Sequence, residues 1–409
     1  MKVADRDNSG MVLSRPQLKL VKKRRTVGLY AVCLALLVLL VAGMDVVFGY
    51  LYDRYVSSYG QRNISILLGE VDVSKLLRER PHPYLLWENT PGYASSNGIR
   101  QTNNLGYRNS NEFTIAKKAR TFRVLALGGS TTYGYLLDNP DDAWPAQLEV
   151  LLNSRMNKDS PESSFDRIEV INGGLNYATS AEQLLHYLYR DRYLKPDLVI
   201  IHTGGNDAAP LLFEEYTPDY VKFRPGWTAT LHRLRKGERV AIEHSNIVKM
   251  LYAVWLNDSI ALPYINKQAQ SFDKSEEYYI RNATMNEPVG FQRNVHLLLR
   301  NVIADGAMPV VFPFVLASDE QFNAFGPETA KRAAYTKMIR QGTIIALNKH
   351  TEIMKGLADE FSVPFTRLSP AQIPIEYFLD HCHLSRDGEA VKAAFLAQQI
   401  CGFIKGVAC

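Results

Sequence analysis

Four short segments hold residue types that together could perform one reaction. Gly128-Gly129-Ser130-Thr131-Thr132-Tyr133-Gly134 offers a serine hydroxyl. Asn172-Gly173-Gly174 and Gly204-Gly205-Asn206-Asp207 offer amide donors, and Asp380-His381-Cys382-His383-Leu384 offers a carboxylate and imidazoles. A serine hydroxyl is a weak nucleophile until a base takes its proton. Histidine has the ordinary pKa for that task near neutral pH. Asp380 stands three residues before His383, close enough to fix the ring's tautomer and steady the imidazolium. The oxyanion formed on attack at a carbonyl needs donors already in place. The backbone N–H of Ser130, that of Gly174 and the side-chain amide of Asn206 could converge on it. Glycines let the backbone approach a substrate with no Cβ in the way. The chemistry such a set could perform is acyl transfer through an ester on Ser130.

Such groups must be held by a regular frame, and the pattern from residue 121 onward provides one. Phe122–Leu127, Ile168–Ile171, Asp197–His202, Pro309–Val315 and Val363–Thr366 read as five short apolar strands. Helical spacing covers Trp144–Met156, Ala181–Tyr193, Phe291–Asp305, Thr329–Phe361 with a break expected near Gly342, and Ser385–Ile404 with Ser385 as N-cap. Apolar strands alternating with helices predict an α/β fold, a three-layer α/β/α sandwich on a mainly parallel five-stranded sheet. Ligands bind outside the C-terminal ends of such strands. Three of these strands end in glycine-rich turns carrying Ser, Asn or Asp.

The four segments, in this order, resemble the blocks of the SGNH hydrolase superfamily, the GDSL-type esterase/lipase family, with GGST in place of GDS. The resemblance covers about 121–207 and 305–404. It implies a flavodoxin-like fold, Ser130 as nucleophile, His383 as general base and Asp380 as its orienting partner. It further implies an oxyanion hole from Ser130, Gly174 and Asn206. Of the paired glycines Gly173 and Gly174, the spacing from Asn172 favours the second. Family members often have another glycine shortly after this block; here the stretch reads Leu175-Asn176-Tyr177. The resemblance implies no cofactor and no metal.

Other readings of the same residues are weaker. The Gly-Gly-Ser-Thr-Thr turn lacks the lysine of a phosphate loop, and no G-x-G-x-x-G follows. With Thr132 two places after Ser130, it is not a G-x-S-x-G elbow either. His381-Cys382-His383 invites a metal reading, but no partner cluster stands out. Asp207 reads as structural, and His202, His232 and His296 as core or surface residues. A disulfide between two of Cys382, Cys401 and Cys409 and free thiols are equally compatible with the sequence. Cys33 reads as an apolar filler. Asn63, Asn257 and Asn282 begin N-x-S/T sequons.

The net charge of +5 belongs to the first 26 residues, which hold eight Lys/Arg and two Asp/Glu. The remainder has no basic excess for nucleic acid. Val27–Met44 is free of charge, near the length that crosses a bilayer, and follows Lys19, Lys22, Lys23, Arg24 and Arg25. The positive-inside rule places the N-terminus in the cytoplasm and the rest outside, in the periplasm of a Gram-negative cell. Val41-Ala42-Gly43 would serve a cleaved signal peptide, but the basic region and the apolar run are both long for one. The expected organisation is a basic tail (1–26), a transmembrane anchor (27–52), an accessory region (53–120) packed on the catalytic domain, and a hydrolase domain (121–409) with an insertion at 208–290. Within the insertion, Ile247–Leu256 reads as a helix, either a lid or acyl-pocket wall or a helix packed on the core. The expected function is a membrane-anchored extracytoplasmic serine esterase with an acyl-ester substrate. Exported members resembling this family point to acylated carbohydrate or cell-envelope material. An O-acyltransferase to a polysaccharide, using the same site, and a non-catalytic assembly module of a polysaccharide machine are the alternatives.

Overall fold

The computed structural model describes residues 15–56, 61, 64–65, 68, 78–82, 84–95, 97–156, 165–223, 236–258 and 272–409. The Asn63 sequon, His232, and parts of the basic tail, the 53–120 region and the 208–290 insertion lie outside them. The chain divides into two compact units, 1–71 with 229–264, and 72–228 with 265–409.

In the first unit, α1 (Arg15–Tyr55) is one continuous helix. Its stretch Thr26–Tyr55 is long and apolar enough to cross a membrane. Every residue from Thr26 to Met44 is exposed. Beyond that point one face is covered, at Asp45, Phe48, Gly49 and Tyr52, spaced as neighbours on a helix surface. The inserted helices α5 (Lys236–His244) and α6 (Asn246–Asp258) belong to this unit. Their Ile242 and Ala253 are buried with Tyr52, Ile64 and Leu68. Within this unit the Ile247–Leu256 helix packs on α1, its Ala253 buried in one cluster with Tyr52.

The second unit holds the sheet. A short antiparallel hairpin, β1 (Glu79–His82) and β2 (Leu86–Asn89), precedes it. Four parallel strands follow, β3 (Thr121–Gly128), β4 (Arg167–Gly174), β5 (Leu198–Thr203) and β6 (Met308–Pro313), in the order β4-β3-β5-β6. This is the flavodoxin-like order in its first four positions. The expected fifth strand is reduced to one parallel bridge, Val311 with Phe365. The N–H of Val311 donates to Pro364 O and that of Thr366 to Val311 O, both at 2.9 Å. Pro364 has no N–H with which to extend the ladder.

Alternate residues of each strand face opposite layers. Val124, Ala126, Ile168, Val170, Leu198, Ile200, Val310 and Phe312 pack against α3 (Trp144–Ser154) and α12 (Arg386–Ile400). Leu125, Leu127, Ile171, Val199, Ile201 and Val311 face α4 (Ser180–Tyr189), α8 (Val289–Ala304) and α11 (Arg340–Phe361). The long helix expected over 329–361 is broken near Gly342, as expected, the interruption falling just before Arg340. A short α9 (Asp319–Asn323) comes first, and α10 (Pro327–Ala333) with a 3-10 turn ends before α11 begins. Gly342 sits inside α11, where a Cβ would come 2.9 Å from the carbonyl oxygen of Tyr279 in α7 (Glu276–Met285).

Residues 101–109 close the β4 edge. The N–H of Arg108 donates to Asn172 O at 3.1 Å. The Asn109 side chain mimics a strand, donating to Val170 O at 2.9 Å and accepting from Asn172 N at 3.0 Å. An uncovered edge would be open to pairing with another chain. The buried Arg108 guanidinium donates to the carbonyls of Leu137, Gln101 and Tyr133.

Candidate active site

The order of strands reverses between β3 and β5, and the site is built on the turns leaving them. β3 leads through Gly128-Gly129 into α2 (Ser130–Tyr133), so Ser130 opens a single helical turn. A Cβ on Gly128 would lie 2.8 Å from His202 O, and one on Gly129 2.7 Å from Asn206 Nδ2. The two glycines thus let this turn meet the turn after β5. Gly134, at φ +77, closes it with an N–H bond to Ser130 O at 2.9 Å. Beneath it, the buried Lys392 of α12 donates to Thr131 O at 3.4 Å and pairs with buried Glu389.

His383 and Asp380 arrive on the loop before α12. His383 Nε2 lies 2.8 Å from Ser130 Oγ. His383 Nδ1 lies 2.7 Å from Asp380 Oδ2. Asp380 Oδ1 accepts from the backbone N–H of Cys382 at 2.8 Å and of His383 at 2.7 Å. A carboxylate accepts only, so the network assigns the proton to Nδ1 and leaves Nε2 to accept from the serine hydroxyl. Burial opposes charge on Asp380, yet the bond to His383, the neighbouring imidazoles and the backbone donor hold its carboxyl well below the usual range. A neutral imidazole oriented by a carboxylate and touching a serine hydroxyl can take that proton as the oxygen attacks a carbonyl.

The donors for an oxyanion are placed less simply. Ser130 N begins a helical turn and has no acceptor in its own chain among the described residues. Asn206 Nδ2 donates one hydrogen to Ala178 O at 2.9 Å, and its other hydrogen remains. Both residues line the cleft that contains His383. Gly174 does not. Its N–H donates to Asn172 Oδ1 at 2.9 Å, its carbonyl accepts from Asn89 at 3.0 Å, and a Cβ there would meet Tyr133 N at 2.3 Å. Gly174 is a close-packing point under the Ser130 turn, and its donor is already engaged. The expectation that it faces the oxyanion is corrected accordingly.

The neighbouring titratable groups fall into supporting places. Asp207 accepts from Ser180 N, Ser180 Oγ and the hydroxyl of Tyr220, tying the turn after β5 to α4. Burial pushes it up to about 6 against those bonds. Burial lowers His381 to about 4 and raises the Cys382 thiol. Asp380, Cys382 and His383 hold metal-ligating atoms within 4.8 Å of one another, but Asp380 Oδ2 and His383 Nδ1 already satisfy each other. Cys401 and Cys409 form a disulfide, and Cys382 is a free, buried thiol.

The cleft at Ser130 has a volume of about 380 Å3. Tyr135, Tyr177, Tyr335, Leu136 and Arg332 line it. An adjoining pocket of about 150 Å3 is walled by Ala208, Ala209, Leu212, Phe223, Phe272 and Ile339. The three tyrosines were not singled out by sequence reasoning. Tyr177 lies in the stretch noted as lacking a glycine, and it holds φ +62, a conformation that glycine adopts most freely. That departure was the one available signal.

Comparison with known proteins is consistent with this geometry. The family model described as GDSL-like Lipase/Acylhydrolase matches residues 126–391. No curated protein matches the chain. Among solved structures, the chain is similar to the lipase/acylhydrolase from Enterococcus faecalis, at 14% identity and a TM-score of 0.39, covering 70% of this chain and 100% of that one. It is also similar to a variant of an acetyl-xylooligosaccharide esterase from Geobacillus, at 16% identity and a TM-score of 0.36, covering 69% and 96%. These are likenesses of fold.

Proposed function

The chain belongs to the GDSL-like lipase/acylhydrolase family and is an SGNH-type serine hydrolase acting on ester bonds; from that premise we propose that Ser130 is its nucleophile and that it is a membrane-anchored esterase of O-acylated carbohydrate outside the cytoplasm. The observation that carries the reading is the relay Asp380–His383–Ser130, with its two contacts of 2.7 and 2.8 Å at the wall of an open cleft. His383 accepts the Ser130 proton as Oγ attacks the ester carbonyl. The oxyanion takes hydrogen bonds from Ser130 N–H and Asn206 Nδ2. His383 then protonates the departing alcohol, and water repeats the sequence on the acyl-serine.

The cleft's lining supports this substrate class. Tyr135, Tyr177 and Tyr335 are all at least partly exposed, and they offer flat apolar faces with polar tips around the nucleophile. Such faces suit the apolar side of a sugar ring, while Arg332 suits its hydroxyls. The smaller apolar pocket beside Asn206 suits a short acyl group. The anchor is supported by the uninterrupted exposure of Thr26–Met44 and the basic block before it.

The test is acetate release from acetylated oligosaccharides by the full chain in lipid nanodiscs, beside hydrolysis of p-nitrophenyl acetate, butyrate and palmitate. Short esters and acetylated sugars should be cleaved, with palmitate poor and the Ser130→Ala variant inactive on all. Efficient palmitate cleavage with no acetate release would replace the carbohydrate reading with a lipid one.

A further inference from the structure

Asp45 is the sole charged residue between Val27 and Tyr52, and its partners say what the inserted helices do. Its Oδ1 accepts from Ser245 Oγ at 2.8 Å and Ile247 N at 3.1 Å, and its Oδ2 from Asn246 Nδ2 at 3.1 Å. These donors are the turn between α5 and α6 and the open N-terminus of α6, where a carboxylate is favoured. Gly49 lets that turn in, since a Cβ there would stand 2.9 Å from Asn246 Nδ2. Farther along, Lys249 Nζ lies 4.9 Å from the ring centre of Tyr52. The order Asp45 with Asn246, then Tyr52 with Lys249, means that α6 runs beside α1 in the same direction. The hairpin tip stands level with Asp45.

Thr26–Tyr55 is 30 residues long. At the helical rise that is about 45 Å, longer than the roughly 30 Å hydrocarbon core alone, so its last turns stand beyond that core. Val27–Met44, at about 27 Å, accounts for most of that core, so Asp45 stands at its outer edge and the start of α6 enters the outer headgroup layer beside it. With the Asp45 carboxylate satisfied by three donors, apolar surface resumes immediately. Val46 is 72% and Tyr50 67% exposed on α1, and Leu251 and Val254 are each 60% exposed on α6, three apart and so on one face. The opposite side of α6 is closed by Ala253 in the small core.

We propose that the α5–α6 hairpin is a second membrane-contact element, which seats the Leu251/Val254 face in the outer interfacial layer of the bilayer that α1 crosses, with Asp45 as the joint. This rests on the anchor reading given above. Apolar side-chain area moved from water into that layer is stabilising in proportion to the area buried.

The test uses the full chain with Cys33→Ser, reconstituted in phosphatidylcholine/phosphatidylglycerol vesicles. Cys382 is buried and Cys401–Cys409 is bonded, so single added cysteines can be labelled with an environment-sensitive fluorophore. Leu36→Cys reports the anchor, and Leu251→Cys and Val254→Cys report the hairpin. The label at 36 should be quenched by nitroxides deep in the acyl chains. Labels at 251 and 254 should shift to the blue, be quenched by nitroxides near the headgroups and lose quenching by aqueous iodide. Asp45→Ala should abolish the lipid quenching at 251 and 254 and leave 36 unchanged, whereas Asp45→Asn, which keeps an acceptor, should preserve most of it. A deep label at 36 with iodide-accessible labels at 251 and 254 overturns the proposal alone. A label at 36 that no lipid nitroxide reaches overturns the anchor reading and the proposal together. Energy transfer between copies labelled at 251, without lipid quenching, would give the face to a second copy and also overturn it.

Discussion

At the scale of single residues, the account depends on which atom holds which proton. Asp380 accepts two backbone N–H bonds on one oxygen and the His383 ring on the other. In Asp380→Asn the side-chain oxygen can keep the backbone pair, which turns the amide NH2 toward Nδ1. The ring must then present an N–H to Ser130 instead of a lone pair. We expect kcat to fall about 10^4-fold with KM little changed, because the wrong tautomer removes the base and leaves the cleft intact. Asn206→Ala should cost about a hundred- to a thousandfold in kcat, the loss of one oxyanion donor. Gly174→Ala should fail in another way, as a stability defect, since its Cβ would meet Tyr133 N at 2.3 Å. Steady-state kinetics beside thermal unfolding of the three variants separates these outcomes; an Asp380→Asn enzyme of undiminished kcat would remove the relay from the account.

At the scale of elements, the region before the first long strand belongs structurally to the sheet. Asn109 fills the bonding positions of a missing edge strand between Val170 and Asn172. Replacing it by Ala leaves a carbonyl and an N–H unpaired at that edge, and each buried polar group so stranded costs about 1–3 kcal/mol. Asn109→Ala should lower the urea midpoint of the full chain measurably, and a chain begun near residue 118 should not fold at all. A stable, active fragment from 118 would refute the accessory-layer reading. The strands of the sheet were legible in the sequence because alternation and glycine-rich ends are local signals, as in Phe122–Leu127. Three things were less so. The fifth strand shrank to a bridge because Pro364 lacks a donor. The break in 329–361 was legible only to within a few residues, since Gly342 stands just inside α11 against Tyr279. The partner of Ile247–Leu256 is α1, roughly 200 residues earlier, and no local pattern carries that. The site itself is readable as far as residue types go, but the orientation of an N–H is a tertiary fact: that of Gly174 is engaged by Asn172 Oδ1.

At the scale of the whole molecule, buried histidines set the response to acid. Burial lowers His202 and His350 to about 3 and His381 to about 4. Unfolded, each would titrate near 6.5. Between those values the unfolded chain binds more protons than the folded one, so stability rises with pH there. Their contribution is fully present above about pH 6.5 and is lost as pH falls toward 4. Asp380, also held low, acts in the same direction at more acidic pH. His350 offers the cleanest test, since Nδ1 bonds Gly204 O at 2.9 Å while its buried Nε2 has no partner among the described residues. Asn can keep the first contact without titrating. His350→Asn should reduce the proton uptake on unfolding at pH 5 by about one. An unchanged slope of unfolding free energy against pH would show that His350 titrates normally in the folded chain.

The central claim, that Ser130 is the nucleophile, is tested most directly by treating the full chain with a fluorophosphonate and locating the adduct by mass spectrometry. One adduct is expected, on Ser130, abolished in His383→Ala and absent in a folded Ser130→Ala control. An adduct on another serine, or none on a folded protein that still cleaves p-nitrophenyl acetate, would contradict it.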